Sequence, residues 1–168
     1  MQKIFLALAL FFSVAVSAQN DKIYMHNGKV IDGTVVQIGD FTLVFKYANE
    51  DAEQTVSKYA VEKIIYGKSG REEKVTDKIS VASKDDWENV VILEDKSEVA
   101  GLTKVDEIKG KTSGWISYRT GAGKDKKSEE RLKQGAAELG CQFVLVTADK
   151  DPSLVNPSSI KKGIAYKY

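Results

Sequence analysis

The chain has 168 residues with 25 Lys and Arg against 24 Asp and Glu, so the formal charge of +1 gives no electrostatic case for nucleic acid or an anionic membrane surface. Hydrophobic residues make up 42% of it, which supports a packed core and argues against a disordered chain. The single cysteine, Cys141, excludes an intramolecular disulfide, and the single histidine, His26, excludes a multi-histidine metal site.

Met1, Gln2 and Lys3 precede the apolar run Ile4 to Val16, and Ser17 and Ala18 follow it. That order of charged, apolar and small residues is the pattern of a secretory signal, so residues 1–18 are read as a signal peptide cleaved after Ala18. The run is short for a membrane span. Cleavage leaves 150 residues (168 − 18) and removes Lys3, so Lys and Arg fall to 24 (25 − 1) against 24 acidic residues and the formal charge to 0. No cysteine follows the cleavage position to carry a lipid anchor, so a periplasmic or secreted protein without membrane insertion is expected.

Residues 21–67 read as a small β module. Ile23 and Met25 alternate with Tyr24 and His26, and Asn27-Gly28 is a hairpin signal because both residues tolerate positive φ. Gly33 before the run Thr34 to Ile38 marks a bulge or sharp bend. Phe41, Leu43, Phe45 and Tyr47 alternate with polar or smaller residues and are expected to face inward. Asn49 to Gln54 reads as a polar loop, Val56 to Tyr59 as a strand, and Val61, Ile64 and Ile65 as the closing strand, giving five strands in a bent, barrel-like antiparallel arrangement. The stretches KIYMHNGKVIDGTVVQIGDFTLVFKY and YAVEKIIY resemble SH3/Sm-like β modules in secreted proteins of Gram-negative bacteria. The resemblance to Sm proteins would imply RNA, which export and neutral charge oppose.

Residues 68–86 are polar and carry few large apolar side chains, so they read as a linker before an α+β domain over residues 87–168. In that domain Trp87 and Val90 to Leu93 open an apolar run, Gly114 to Thr120 reads as a strand, and Gly121 to Lys127 as a loop. Ser128 is expected to cap a helix with Leu132, Ala136 and Leu139 on its core face and Gly140 at its end. Phe143 to Val146 then forms a strand apolar on both faces, which needs two covers where the helix supplies one. Asp149 to Lys162 reads as a loop and Gly163 to Tyr168 as the last strand. EVAGLTKVDEIKG, LKQGAAELGCQFVLV and GIAYKY resemble the envelope-stress sensor lipoprotein of the Rcs system. That resemblance implies a small α+β fold and a stress-signalling role, although the sensor's lipid anchor and disulfides have no counterpart here.

No catalytic, cofactor-binding or metal-ligating residue is assigned, and no cofactor is expected. Cys141 sits at a helix C-terminus before an apolar strand, which suits a buried structural thiol. His26 at a hairpin lip reads as an exposed turn residue. Gly121-Ala122-Gly123-Lys124 lacks the glycine spacing and the hydroxyl of a phosphate loop, and Asp149, Asp151 and Ser153 lack the later positions of a calcium loop. The function expected is therefore non-enzymatic binding of another envelope or extracellular protein. Two alternatives are a small-ligand-binding protein or enzyme with an aromatic pocket of Trp87, Trp115, Tyr118 and Tyr166, and an envelope stress sensor.

Overall fold

A computed structural model describes residues 19–112, 121–150 and 159–168. The expected signal peptide, the strand expected around Trp115 and Tyr118, and part of the loop expected before the last strand lie outside these residues. The described chain is α+β, with two sheets and one long helix.

The first sheet contains β1 (Asp21–Met25), β2 (Val30–Ile38), β3 (Thr42–Tyr47), β4 (Glu53–Ser57), β5 (Val61–Ile65) and β6 (Glu72–Lys74). They lie in the order β4-β3-β2-β1-β5-β6, with every neighbouring pair antiparallel. The sheet has six strands, not five, because Glu72–Lys74 in the stretch read as a linker pairs with β5. β4 and β6 are its two ends, and no pairing among the described residues closes it into a barrel.

The β1–β2 turn forms where Asn27-Gly28 predicts it, but only Gly28 takes positive φ (+87°). Gly28 N–H donates to Met25 O and Met25 N–H to Lys29 O, both at 2.9 Å, the pattern of a type I turn closed by a left-handed glycine. At Gly33 a Cβ would collide with the Lys46 carbonyl of β3, so glycine allows that close approach. The bulge itself falls between Val35 and Gln37. Leu43 and Phe45 are buried, whereas Phe41 and Tyr47 at the two ends of the same alternation are exposed.

The second sheet contains β7 (Val91–Leu93), β8 (Thr103–Thr112), β9 (Phe143–Lys150) and β10 (Ser159–Lys167), in the order β7-β9-β10-β8. β7 and β9 are parallel and the other pairs antiparallel. The helix α1 (Gly121–Glu138) covers one face. It begins well before Ser128, because Gly121 to Lys127, read as a loop, belongs to it. Ser128 is wholly buried inside the helix, so it is not the cap.

Ser128, Leu132 and Ala136 recur one turn apart on the buried stripe, and Ala137 adjoins it, while Leu139 is 41% exposed. At Gly110 of β8 a Cβ would collide with the Ser128 carbonyl, so the helix backbone lies directly on the strand. α1 ends as expected at Gly140 (φ +65°), where Gly140 N–H donates to Ala137 O and Cys141 N–H to Ala136 O, both at 2.9 Å. That is the paired bonding of a Schellman ending.

Alternation along β9 sends Val144 toward α1 and Phe143 and Leu145 to the opposite face. The second cover for this strand comes from within the chain: Tyr59, Val99, Leu102 and Tyr168 pack over Phe143 and its neighbours. Tyr59 follows β4 of the first sheet, and Leu102 packs against the cores of both sheets. Ser57 N–H also donates to Ala100 O at 2.8 Å, joining β4 to the segment before β8. Ile79 and Val81, in the 68–86 stretch, pack into the second sheet's clusters.

Candidate functional site

His26 is the side chain most suited to proton transfer, and it is 6% exposed where an exposed turn residue is expected. The β1–β2 turn carries it beneath the segment that follows β6, where Thr76 Oγ1 lies 2.9 Å from its Nε2. The Thr76 hydroxyl donates its one proton to the Val61 carbonyl at 2.7 Å, so it accepts from His26 Nε2–H, which assigns the imidazole tautomer. His26 N–H donates to Ala60 O at 3.0 Å, fixing the backbone as well. The ring lies against Tyr168, with centroids 4.9 Å apart and planes at 56°.

Burial holds the His26 pKa below its usual value; Glu62 opposes that shift, Lys78 adds to it, and Asp77 opposes it. The groups bordering the ring enclose an open pocket of about 400 Å³ whose lining includes Glu62, Lys74, Thr76, Asp77 and Lys78. It brings charges of both signs together beside the Thr76 hydroxyl, whose proton goes to a backbone carbonyl. The imidazole acts there as a strut between the first hairpin, the 75–79 segment and the last residue.

Cys141 is wholly buried between the end of α1 and β9, as its sequence context predicts. Its Sγ contacts the Leu139 carbonyl at 3.7 Å. Burial pushes the thiol pKa up, against a smaller opposing effect of Lys167. It sits on the helix side of the second sheet, while His26 meets Tyr168 beside the other face, so the two are not brought together.

The aromatic pocket assembles only in part. Trp87 packs on the helix side of the second sheet and Tyr166 on its opposite face, so these two do not share a cavity; Trp115 and Tyr118 lie outside the described residues. Tyr166 instead borders an apolar groove of about 430 Å³ with Val99, Leu145 and Ile164, edged by Glu94 and Lys96. No protein family, curated protein or solved structure matches this chain. Among the described residues no cluster of His, Cys, Asp and Glu could hold a metal ion, and no helix is long and apolar enough to cross a membrane.

Sequence reasoning missed Thr76, Glu62 and Tyr168 as neighbours of His26. Thr76 lies 50 residues from His26, and no periodicity or turn signal reaches that far. It missed Glu98 too, which is 6% exposed and accepts from Glu94 N–H and Asp95 N–H at 2.9 Å. The signal for that one was present, since Asp95 and Glu98 have the spacing of a capping box.

Proposed function

We propose that this is an exported, non-enzymatic α+β protein, with an SH3/Sm-like bent β module at its N-terminal end, that binds another protein of the bacterial envelope or its surroundings. The observation that carries the reading is the β2–β3 hairpin, where Val36, Phe41 and Tyr47 are 47%, 54% and 42% exposed. Large apolar side chains held in water favour transfer to a partner's surface, at about 25 cal/mol per Å² of apolar area covered. The burial of both Phe143 and Leu145 moves the expected contact surface away from β9 and onto this hairpin.

The test is crosslinking in intact cells followed by capture of the protein. Val36→Asp and Phe41→Asp are expected to abolish a specific crosslinked partner while leaving the circular dichroism spectrum and melting temperature unchanged. Recovery of the same partners by both variants would rule out the hairpin.

A second reading, a small-ligand binder, is favoured by the groove at Val99, Leu145, Ile164 and Tyr166. It predicts saturable binding of a hydrophobic fluorescent probe that Leu145→Glu removes.

A further inference from the structure

Gln19 and Asn20 lead into β1 beside a pocket of about 520 Å³ bordered by Thr34, Tyr66, Lys68 and Arg71. The chain is pinned there by the Asp21 carboxylate. Asp21 Oδ1 accepts from Gly67 N–H and Oδ2 from Val35 N–H, both at 2.9 Å. Gly67 also needs to be glycine, because a Cβ would collide with the Gln19 carbonyl. Beyond that carbonyl the side chain of Gln19 is exposed, and no hydrogen bond among the described residues holds its amide.

A glutamine at a chain terminus has its α-amine within bond-forming reach of its own side-chain carbonyl carbon. We infer that Gln19 is a modification site, converted to an N-terminal pyroglutamate once the chain is cut between Ala18 and Gln19. The α-amine nitrogen attacks Cδ, the new N–Cδ bond closes a pyrrolidone ring, the Cδ–Nε2 bond breaks, and ammonia leaves. One amide replaces another, so the step needs no oxidant or reductant.

The chemistry depends on this one cleavage position. A terminus at Ala18 has no amide to attack, and a terminus at Asn20 lacks the methylene that an unstrained lactam needs. The end of the sheet where the ring would lie carries Lys68, Arg71 and the Asp21 carboxylate. Of these, Arg71 is matched by Glu73 at 2.8 Å. The fixed backbone from Asp21 onward leaves the ring at the mouth of the pocket, open to solvent and to a cyclising enzyme.

Because Gln19 becomes a terminus only when residues 1–18 are removed, the modification rests on the export reading above. The experiment is intact-mass measurement and N-terminal peptide mapping of protein recovered from cells that express the full chain. The expected species begins at Gln19, is lighter than the unmodified chain by one ammonia, and gives no Edman sequence until pyroglutamyl aminopeptidase removes the first residue. An unmodified Gln19 terminus overturns the modification and leaves export standing. A chain cut at a neighbouring position overturns the modification and leaves export standing, whereas a chain that keeps residues 1–18 overturns the export reading and the modification with it. Gln19→Ala is expected to give a readable terminus, and a terminus still blocked in that variant would also overturn the assignment.

Discussion

The His26 imidazole lies against the Tyr168 ring at 4.9 Å between centroids, which ties the turn of the first hairpin to the last residue of the chain. Tyr168 does more than stack on His26. Its hydroxyl accepts from Ile79 N–H at 2.9 Å, and its ring meets Phe143 edge-on at 5.2 Å. One side chain thus touches the first sheet, the connecting segment and the second sheet.

Replacing Tyr168 separates these contributions. Tyr168→Phe keeps both ring contacts and leaves Ile79 N–H without its acceptor, so a loss of about 1 kcal/mol is expected. Tyr168→Ala also uncovers Phe143 and His26 and should cost about 2–4 kcal/mol. Urea denaturation of the two variants measures both, and equal losses would show that the ring contributes nothing.

Stability should fall on the acid side through His26. Burial depresses its folded pKa below the value of 6.5 that it takes when unfolded. The unfolded chain therefore binds the proton first as pH drops, and each proton bound there favours unfolding. The His26 contribution is fully present above pH 6.5 and is lost progressively as pH falls below it toward the folded pKa. In His26→Gln the denaturation midpoint should be flatter over the same window, with less difference between neutral and mildly acidic buffer.

Gly101 couples the sheets. It has φ +84°, and a Cβ there would lie 2.5 Å from Val56 Cγ2 and close to Met25 and Ala60 of the first core. Gly101→Ala combines left-handed strain with overpacking and should cost roughly 2–4 kcal/mol. In a Trp115→Phe background, tryptophan fluorescence reports on Trp87, which packs against the second sheet's core, and it should shift to lower urea together with the loss of far-ultraviolet signal from both sheets. An unchanged fluorescence midpoint would separate the two cores.

Cys141 should be unreactive in the folded protein. Burial both blocks access and raises the thiol pKa, so labelling by a thiol reagent near neutral pH should proceed only at the rate of unfolding and accelerate sharply in denaturant. Cys141→Ser buries a hydroxyl in an apolar cluster and should cost about 1–3 kcal/mol. Rapid stoichiometric labelling of the native protein would contradict the buried placement.

Much of the local architecture is legible in the residues themselves. Asn27-Gly28 marks the first turn, Leu43 and Phe45 show the alternation of β3, and Gly140 marks the end of α1. The start of α1 is not legible, because Gly121 to Lys127 carries no large apolar side chain and so no period to read. β6 has the same difficulty: Glu72, Glu73 and Lys74 look like a solvated stretch, and only the open edge of β5 makes them a strand. At the candidate site, the burial of Cys141 follows from its place between a helix end and an apolar strand. The burial of His26 does not follow from its place in a turn.

By itself the sequence determined the turn at Asn27-Gly28, the helix end at Gly140 and the alternation that marks β3, because those effects act between residues a few positions apart. The tertiary structure alone decided that His26 is buried, that Leu139 stays in water, and that Tyr59 and Tyr168 supply the second cover of β9. Burial is a property of which surfaces meet. Those surfaces come together only when segments distant in sequence, the first hairpin and the final strand among them, pack against one another.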